Sequence, residues 1–176
     1  MADIEAGTVL AEVVAPLYNA NPSDLTLIGG SSGGNLAANA ALRIHVQNLV
    51  TLSGPFDFPL GLAYWEGIDG PGAKQHLKFQ TTALGCRVIG DPSTCQVRRE
   101  FAWSPDLNVS GIQCPAQTLV FNESNENNGT PTFQADLLTH ALQSAHCGVI
   151  EDILPGTRHA WDYWDQVLPV IHGLVH

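Results

Sequence analysis

The stretch Leu25-Thr26-Leu27-Ile28-Gly29-Gly30-Ser31-Ser32-Gly33-Gly34-Asn35-Leu36-Ala37 sets the strongest limit on what this chain can fold into. Leu25 to Ile28 reads as a buried strand, and the helix-forming run Leu36 to Ile44 follows after four glycines and two serines. A strand that becomes a helix within so few residues leaves no room for bulky side chains. Glycines on both sides let the backbone turn sharply and let the helix pass close to the strand. The apex residue is pushed into an awkward backbone geometry, with its side chain held out over the sheet edge. Where the apex is serine, the helix N-terminus behind it offers backbone N–H groups to a developing oxyanion. Two frames of G-x-S-x-G overlap, Gly29 to Gly33 and Gly30 to Gly34; the first, with Ser31 as nucleophile, puts the apex directly after the strand. No lysine follows at the spacing of a phosphate-binding loop.

The rest of the chain alternates helix and strand. Ile4 to Leu17 has Val9, Leu10, Val13 and Val14 at near-helical spacing, and Asn35 to Val46 is a helix whose alanines permit close packing on a sheet. Further strands are expected at Leu49–Ser53, Gln117–Phe121 and Val149–Leu154, with a helix over Pro131–Ser144. A closing helix runs from Ala160 onward, bent or ended by Pro169. Between Phe56 and Gly111 periodicity is poor, with short helical candidates at Ala73–Gln80 and Gln96–Ala102. A structureless loop that long is improbable, so 56–111 reads as a cap or lid insertion in a single partial domain, 1–176. The fold class is therefore α/β, a parallel sheet with flanking helices and right-handed crossovers.

A serine nucleophile needs a histidine base, and the histidine needs an orienting acid. In an open parallel sheet all three belong in turns after strand C-termini. Ser31 follows the first strand and His159 the last. The acid then comes from Glu123 or Glu126 after the third strand, or from Asp57 after the second. Phe56, Phe58, Tyr64 and Trp65 either line an acyl pocket or form the insertion's own core; Trp161, two residues beyond His159, is a further pocket candidate. The histidines His45, His76, His140, His146, His172 and His176 lack metal-ligand spacing, so neither metal nor cofactor is expected.

The run Gly29 to Ala37 resembles the nucleophile elbow of the hormone-sensitive-lipase-like branch of α/β-hydrolases, which usually reads Gly-Asp-Ser-Ala-Gly-Gly-Asn-Leu-Ala. Ser104-Pro105 is similar to the Ala-Ser-Pro segment after that family's cap helices, and Leu154-Pro155-Gly156 with His159-Ala160-Trp161 to its histidine loop. The resemblance implies a serine esterase with nucleophile Ser31, base His159 and Ser32 N–H as oxyanion donor. The family aspartate aligns with Asn125, and the adjoining Glu126 takes its place, with Asp57 and Glu123 as alternatives. The family's upstream strands and His-Gly-Gly-Gly loop have no counterpart before Leu25. The resemblance thus covers only the C-terminal half of the fold. A homodimer, or a missing N-terminal portion, is expected to complete the sheet. The competing expectation is a non-catalytic hydrolase fragment that interacts through the exposed sheet edge.

Composition narrows the partners. A net charge of -10 argues against nucleic acid, and no apolar run is long enough to span a membrane. A small-molecule or lipid ester remains as substrate. Four cysteines suggest two bridges: Cys86 and Cys95 bracket a short loop, and Cys114 and Cys147 precede strands expected to be neighbours. With sequons at Asn108, Asn122 and Asn128 they point to a secreted or extracellular glycoprotein.

Overall fold

The computed structural model describes residues 1–126 and 129–173; Asn128 of the third sequon and His176 lie outside them. Four parallel strands, β1 (Thr26–Gly30), β2 (Asn48–Leu52), β3 (Gln117–Glu123) and β4 (Val149–Leu154), stand in the sheet in their chain order. Around them lie α1 (Ala2–Val14), α2 (Ser32–Ala41), α3 (Phe58–Glu66), α4 (Pro71–Ala83), α5 (Val97–Ala102), α6 (Phe133–Ser144) and α7 (Trp164–His172).

Because each strand is added on the same side of the last, right-handed crossovers place α2 and α6 on one face. There Ala37, Ala38 and Ala41 of α2 and Leu138 and Leu142 of α6 close on Leu49 and Val120. The opposite face of β2 and β3 is covered by the C-terminal segment, with Val50, Leu52, Leu119 and Phe121 meeting Tyr163, Val167 and Ile171. β2 is buried along its whole length, the signature of a strand covered on both faces. Ile28 on β1 and Ile150 on β4 remain exposed, as do Val9, Leu10 and Val13 along α1.

Several boundaries differ from the sequence expectation. α2 starts at Ser32, immediately behind the apex, and stops at Ala41. Residues 42–47 are needed to bring the chain back to β1, where Gln47 N–H donates to Leu25 O (2.9 Å). β1 runs on through Gly29 and Gly30, which pair in register with Thr51 and Leu52. β3 reaches Glu123, so this residue is a buried strand residue and not part of the turn. Pro169 sits inside α7 without ending it.

The excursion between β2 and β3 is largely helical and holds a small core of its own, Phe58, Leu62 and Leu84 with Leu77 and Trp103 packed against them. Asp57 caps α3 by accepting from Leu60 N–H (2.7 Å). Three buried amides tie the excursion down. Asn35 Nδ2 donates to Pro55 O (2.7 Å) and Trp103 O (2.8 Å), and Asn39 Nδ2 also reaches Trp103 O (3.2 Å). Gln134 on α6 takes Phe56 N–H and Asp57 N–H on its Oε1 and donates to Asp57 O. Disulfides join Cys86 to Cys95 and Cys114 to Cys147, as the spacing implied. The Asn122 sequon is a correction: its amide is fully buried on β3 and donates to Glu123 O and Thr130 O, so it is closed to glycosylation in the folded chain. No helix among the described residues is long and apolar enough to cross a membrane.

Candidate active site

The site is built where the strands end. Ser31 stands between β1 and α2 with φ 54° and ψ -124°. A positive φ is strained for any residue with a Cβ, and it persists only where the surroundings enforce it. Here the enforcement is steric. A side chain on Gly29 would run into the backbone of Gly33, so only glycine lets α2 close this tightly on β1. Gly30 is closed off from the other side, because a Cβ there would lie 2.6 Å from Trp161 Nε1. Ser31 N–H is held by Leu52 O (2.8 Å), which leaves the side chain at the apex. Ser32 opens α2 behind it, where helix N–H groups favour negative charge.

Across the strand ends, His159 Nδ1 hydrogen-bonds Glu126 Oε2 at 2.6 Å, and the Glu126 carboxylate is enclosed. The same Oε2 accepts from Thr130 N–H (2.9 Å). Oε1 accepts from Ser53 Oγ and, at 3.3 Å, from Glu123 N–H. Gly129 is required beside the pair, since a Cβ there would fall on Glu126 Oε2 and within 2.9 Å of His159 Nδ1. Such a ring of donors holds the buried carboxylate in one orientation.

Two other carboxylates considered from sequence do different work. Glu123, fully buried, holds the neighbour of His159: its Oε2 accepts from Arg158 N–H and its Oε1 from Arg158 Nε (3.1 Å). Asp57 caps α3 and faces Asp106 in the 3-10 turn Pro105–Asn108. Burial, then the adjacent Asp57 charge, pushes the Asp106 carboxyl up to about 8.

A cavity of about 890 Å³ opens over this ground, lined by Ser31, Ser32 and His159 below and by Phe58, Trp65 and Phe79 from the excursion. Trp65 stacks on His76, ring centroids 4.0 Å apart. Ser31 and His159 thus share one cavity wall, although no hydrogen bond joins them among the described residues. Such bonds often tighten only once substrate is bound. Phe56 lies elsewhere, in the core between α2 and α6. Trp161 is half exposed, against Gly30. Among the described residues no cluster of His, Cys, Asp and Glu is arranged to hold a metal ion.

Ser53 was not anticipated from sequence. It follows β2 with φ 51° and is fully buried. Its hydroxyl touches Glu126 Oε1, accepts from Ala160 N–H (3.2 Å), and lies 2.7 Å from Tyr163 OH. Ala160, beside His159, also has a positive φ of 50°. Burial is the main cause that raises the Tyr163 phenol well above its ordinary range, so it stays protonated and can donate. The only local signal for Ser53 was its place at the end of a strand.

The fold that carries these residues has counterparts among solved structures. An acetyl ester-xyloside bifunctional hydrolase from Caldicellulosiruptor lactoaceticus superposes with TM-score 0.69 at 17% identity, over 98% of this chain and 61% of its own. An esterase from the bacterial hormone-sensitive lipase family gives TM-score 0.61 at 20% identity, over 97% and 57%. The chain has an α/β-hydrolase fold. The Pyrococcus horikoshii acylaminoacyl peptidase shares it as well, with TM-score 0.67 at 13% identity, over 89% of this chain and 23% of that one. The chain therefore spans less than two thirds of each of these α/β-hydrolases. No protein-family profile and no curated protein sequence matches it.

Proposed function

We propose that this chain carries the catalytic part of a serine hydrolase that cleaves carboxylic esters through an acyl-enzyme. The observation that carries the reading is Ser31 at positive φ on a helix N-terminus, in one cavity with an imidazole that is itself hydrogen-bonded to a buried carboxylate. With Nδ1–H donated to Glu126, His159 keeps Nε2 as the base. Ser31 Oγ attacks the ester carbonyl while Nε2 takes its proton, then returns it to the departing alcohol. Water enters by the same route and releases the acid. Ser32 N–H faces the growing oxyanion charge, and residues 56–111 serve as the cap over the substrate. The apolar walls suit a small-molecule or lipid ester.

A second reading is favoured by one observation. The outer edge of β1 has no strand partner among the described residues, next to the exposed Ile28. Strand edges of this kind recruit further strands. In this reading the chain pairs there, with a second copy or with the remaining part of a longer fold, and has no turnover of its own. The two disulfides and the exposed Asn108 sequon support an extracellular setting for either reading.

A fluorophosphonate probe followed by peptide mapping separates the two. Labelling is expected at Ser31, abolished by Ser31→Ala and only modestly reduced by Ser32→Ala. Labelling at Ser32 refutes the assignment of the apex, and a folded chain that takes no label supports the second reading.

A further inference from the structure

Charge is distributed very unevenly along this acidic chain. Five of its seven Lys and Arg residues, Lys74, Lys78, Arg87, Arg98 and Arg99, fall between 74 and 99. One acid, Asp91, shares that stretch; all the others lie outside it. Its segments are tied to one another, and Lys74, Lys78, Arg87 and Arg98 are all exposed. Gly90 N–H donates to Thr81 Oγ1 (2.8 Å), Arg99 Nη1 donates to Leu84 O (3.0 Å), and the Cys86–Cys95 bridge closes the loop between α4 and α5. None of Lys74, Lys78, Arg87 and Arg98 pairs with a carboxylate among the described residues.

Large apolar side chains adjoin these cations in the chain and face solvent: Phe79 (60% exposed), Val88 (49%) and Ile89 (61%). The order Lys78-Phe79 and Arg87-Val88-Ile89 alternates charge with apolar bulk, and Lys78, Phe79 and Ile89 also form the rim of the cavity. A dissolved anion would engage the cations and leave the apolar residues in water. A lipid surface engages both, with cations at the headgroups and apolar tips at the acyl boundary. The acidic remainder of the molecule is repelled by the same surface, which turns the cavity mouth toward it.

We propose that the 74–99 surface docks the chain on anionic lipid surfaces, with the cavity opening against the membrane. Docking requires no turnover, so its success or failure is independent of the esterase reading. The test is co-sedimentation of the full chain with vesicles of equal parts phosphatidylglycerol and phosphatidylcholine, and with phosphatidylcholine alone. Binding is expected only to the anionic vesicles, weakening as salt is raised. The variant Lys74→Gln/Arg87→Gln/Arg98→Gln alters three exposed residues away from the cavity wall. It should bind roughly 100-fold more weakly, as about 1 kcal/mol per cation implies. Val88→Asp should also weaken binding while circular dichroism stays that of the parent, and Ser31→Ala should bind as the parent does. Equal binding to both vesicle types, or triple-variant binding at parental strength, overturns the proposal. So does salt-sensitive self-association without vesicle binding, which assigns the surface to the acidic face of a second copy.

Discussion

Ser53→Ala tests how the Glu126–His159 pair is held. In the parent, the hydroxyl donates to Glu126 Oε1 and accepts from Ala160 N–H, with Tyr163 OH completing its shell. Removing it leaves Oε1, inside a carboxylate that is almost wholly enclosed, with only the 3.3 Å approach of Glu123 N–H. A hydrogen bond to a charged group is worth about 1.5–3 kcal/mol. If that support acts on the imidazole, Ser31 should react with fluorophosphonate roughly 10–100-fold more slowly, at about 1.4 kcal/mol per decade. Tyr163 keeps Phe121 O (3.2 Å) as an alternative acceptor, whereas Ala160 N–H is left unpaired. Denaturant unfolding should accordingly show a loss of about 2–4 kcal/mol. Backbone strain is a separate matter, because Ala at φ 51° is no better placed than Ser. Ser53→Gly removes the same hydroxyl but relieves the left-handed geometry. It should be about 1 kcal/mol more stable than Ser53→Ala and yet label just as slowly. Labelling at the parental rate in folded Ser53→Ala, or recovery of the rate in Ser53→Gly, refutes the reasoning.

Two further tests probe the surroundings. The Asp106 carboxyl is raised from 3.8 to about 8, so the folded chain holds this proton more tightly than the unfolded chain. Its contribution is complete below about pH 4 and is lost as pH rises toward 8 and beyond. Asp106→Asn should thus lose less Tm between pH 5 and pH 9 than the parent, and an equal loss in both contradicts the assignment. Gly30→Ala places a methyl 2.6 Å from Trp161 Nε1 and should cost about 1–3 kcal/mol, partly recovered with Trp161→Ala. A fully stable Gly30→Ala shows that the indole does not clamp the turn.

What could be seen in the sequence follows from how local each cause is. The β1-to-α2 turn was legible because its glycines answer contacts only a few residues away, Gly29 against Gly33. The four strands showed as apolar runs, and Cys114–Cys147 followed once two of those strands were taken as neighbours. Ser53 was invisible because its partners lie at 126, 160 and 163, brought together only by the sheet. Phe56 and Phe58 are alike in sequence. Gly54 lets Phe56 fold back under the chain toward α2, whereas Phe58 opens α3 and meets the cavity. Glu123 and Glu126 both read as turn residues because the end of β3 carries no breaker. The ladder continues to Glu123 opposite Leu154, and that decides which acid reaches which partner.

That three-residue separation divides the histidine loop's support into address and aim. Glu123 grips the main chain at Arg158 and so fixes where the loop sits; Glu126 grips the ring of His159 and so fixes which way it points. The two errors differ in kind. In the proposed hydrolase, a loop without its address is expected to wander, so that the fraction of molecules in register shrinks as temperature rises, while those still in register turn over at full rate. A ring without its aim is wrong in every molecule at every temperature. Heat-sensitive and heat-indifferent defects in this loop thus trace back to two acids, one at the last residue of β3 and one in the turn beyond it.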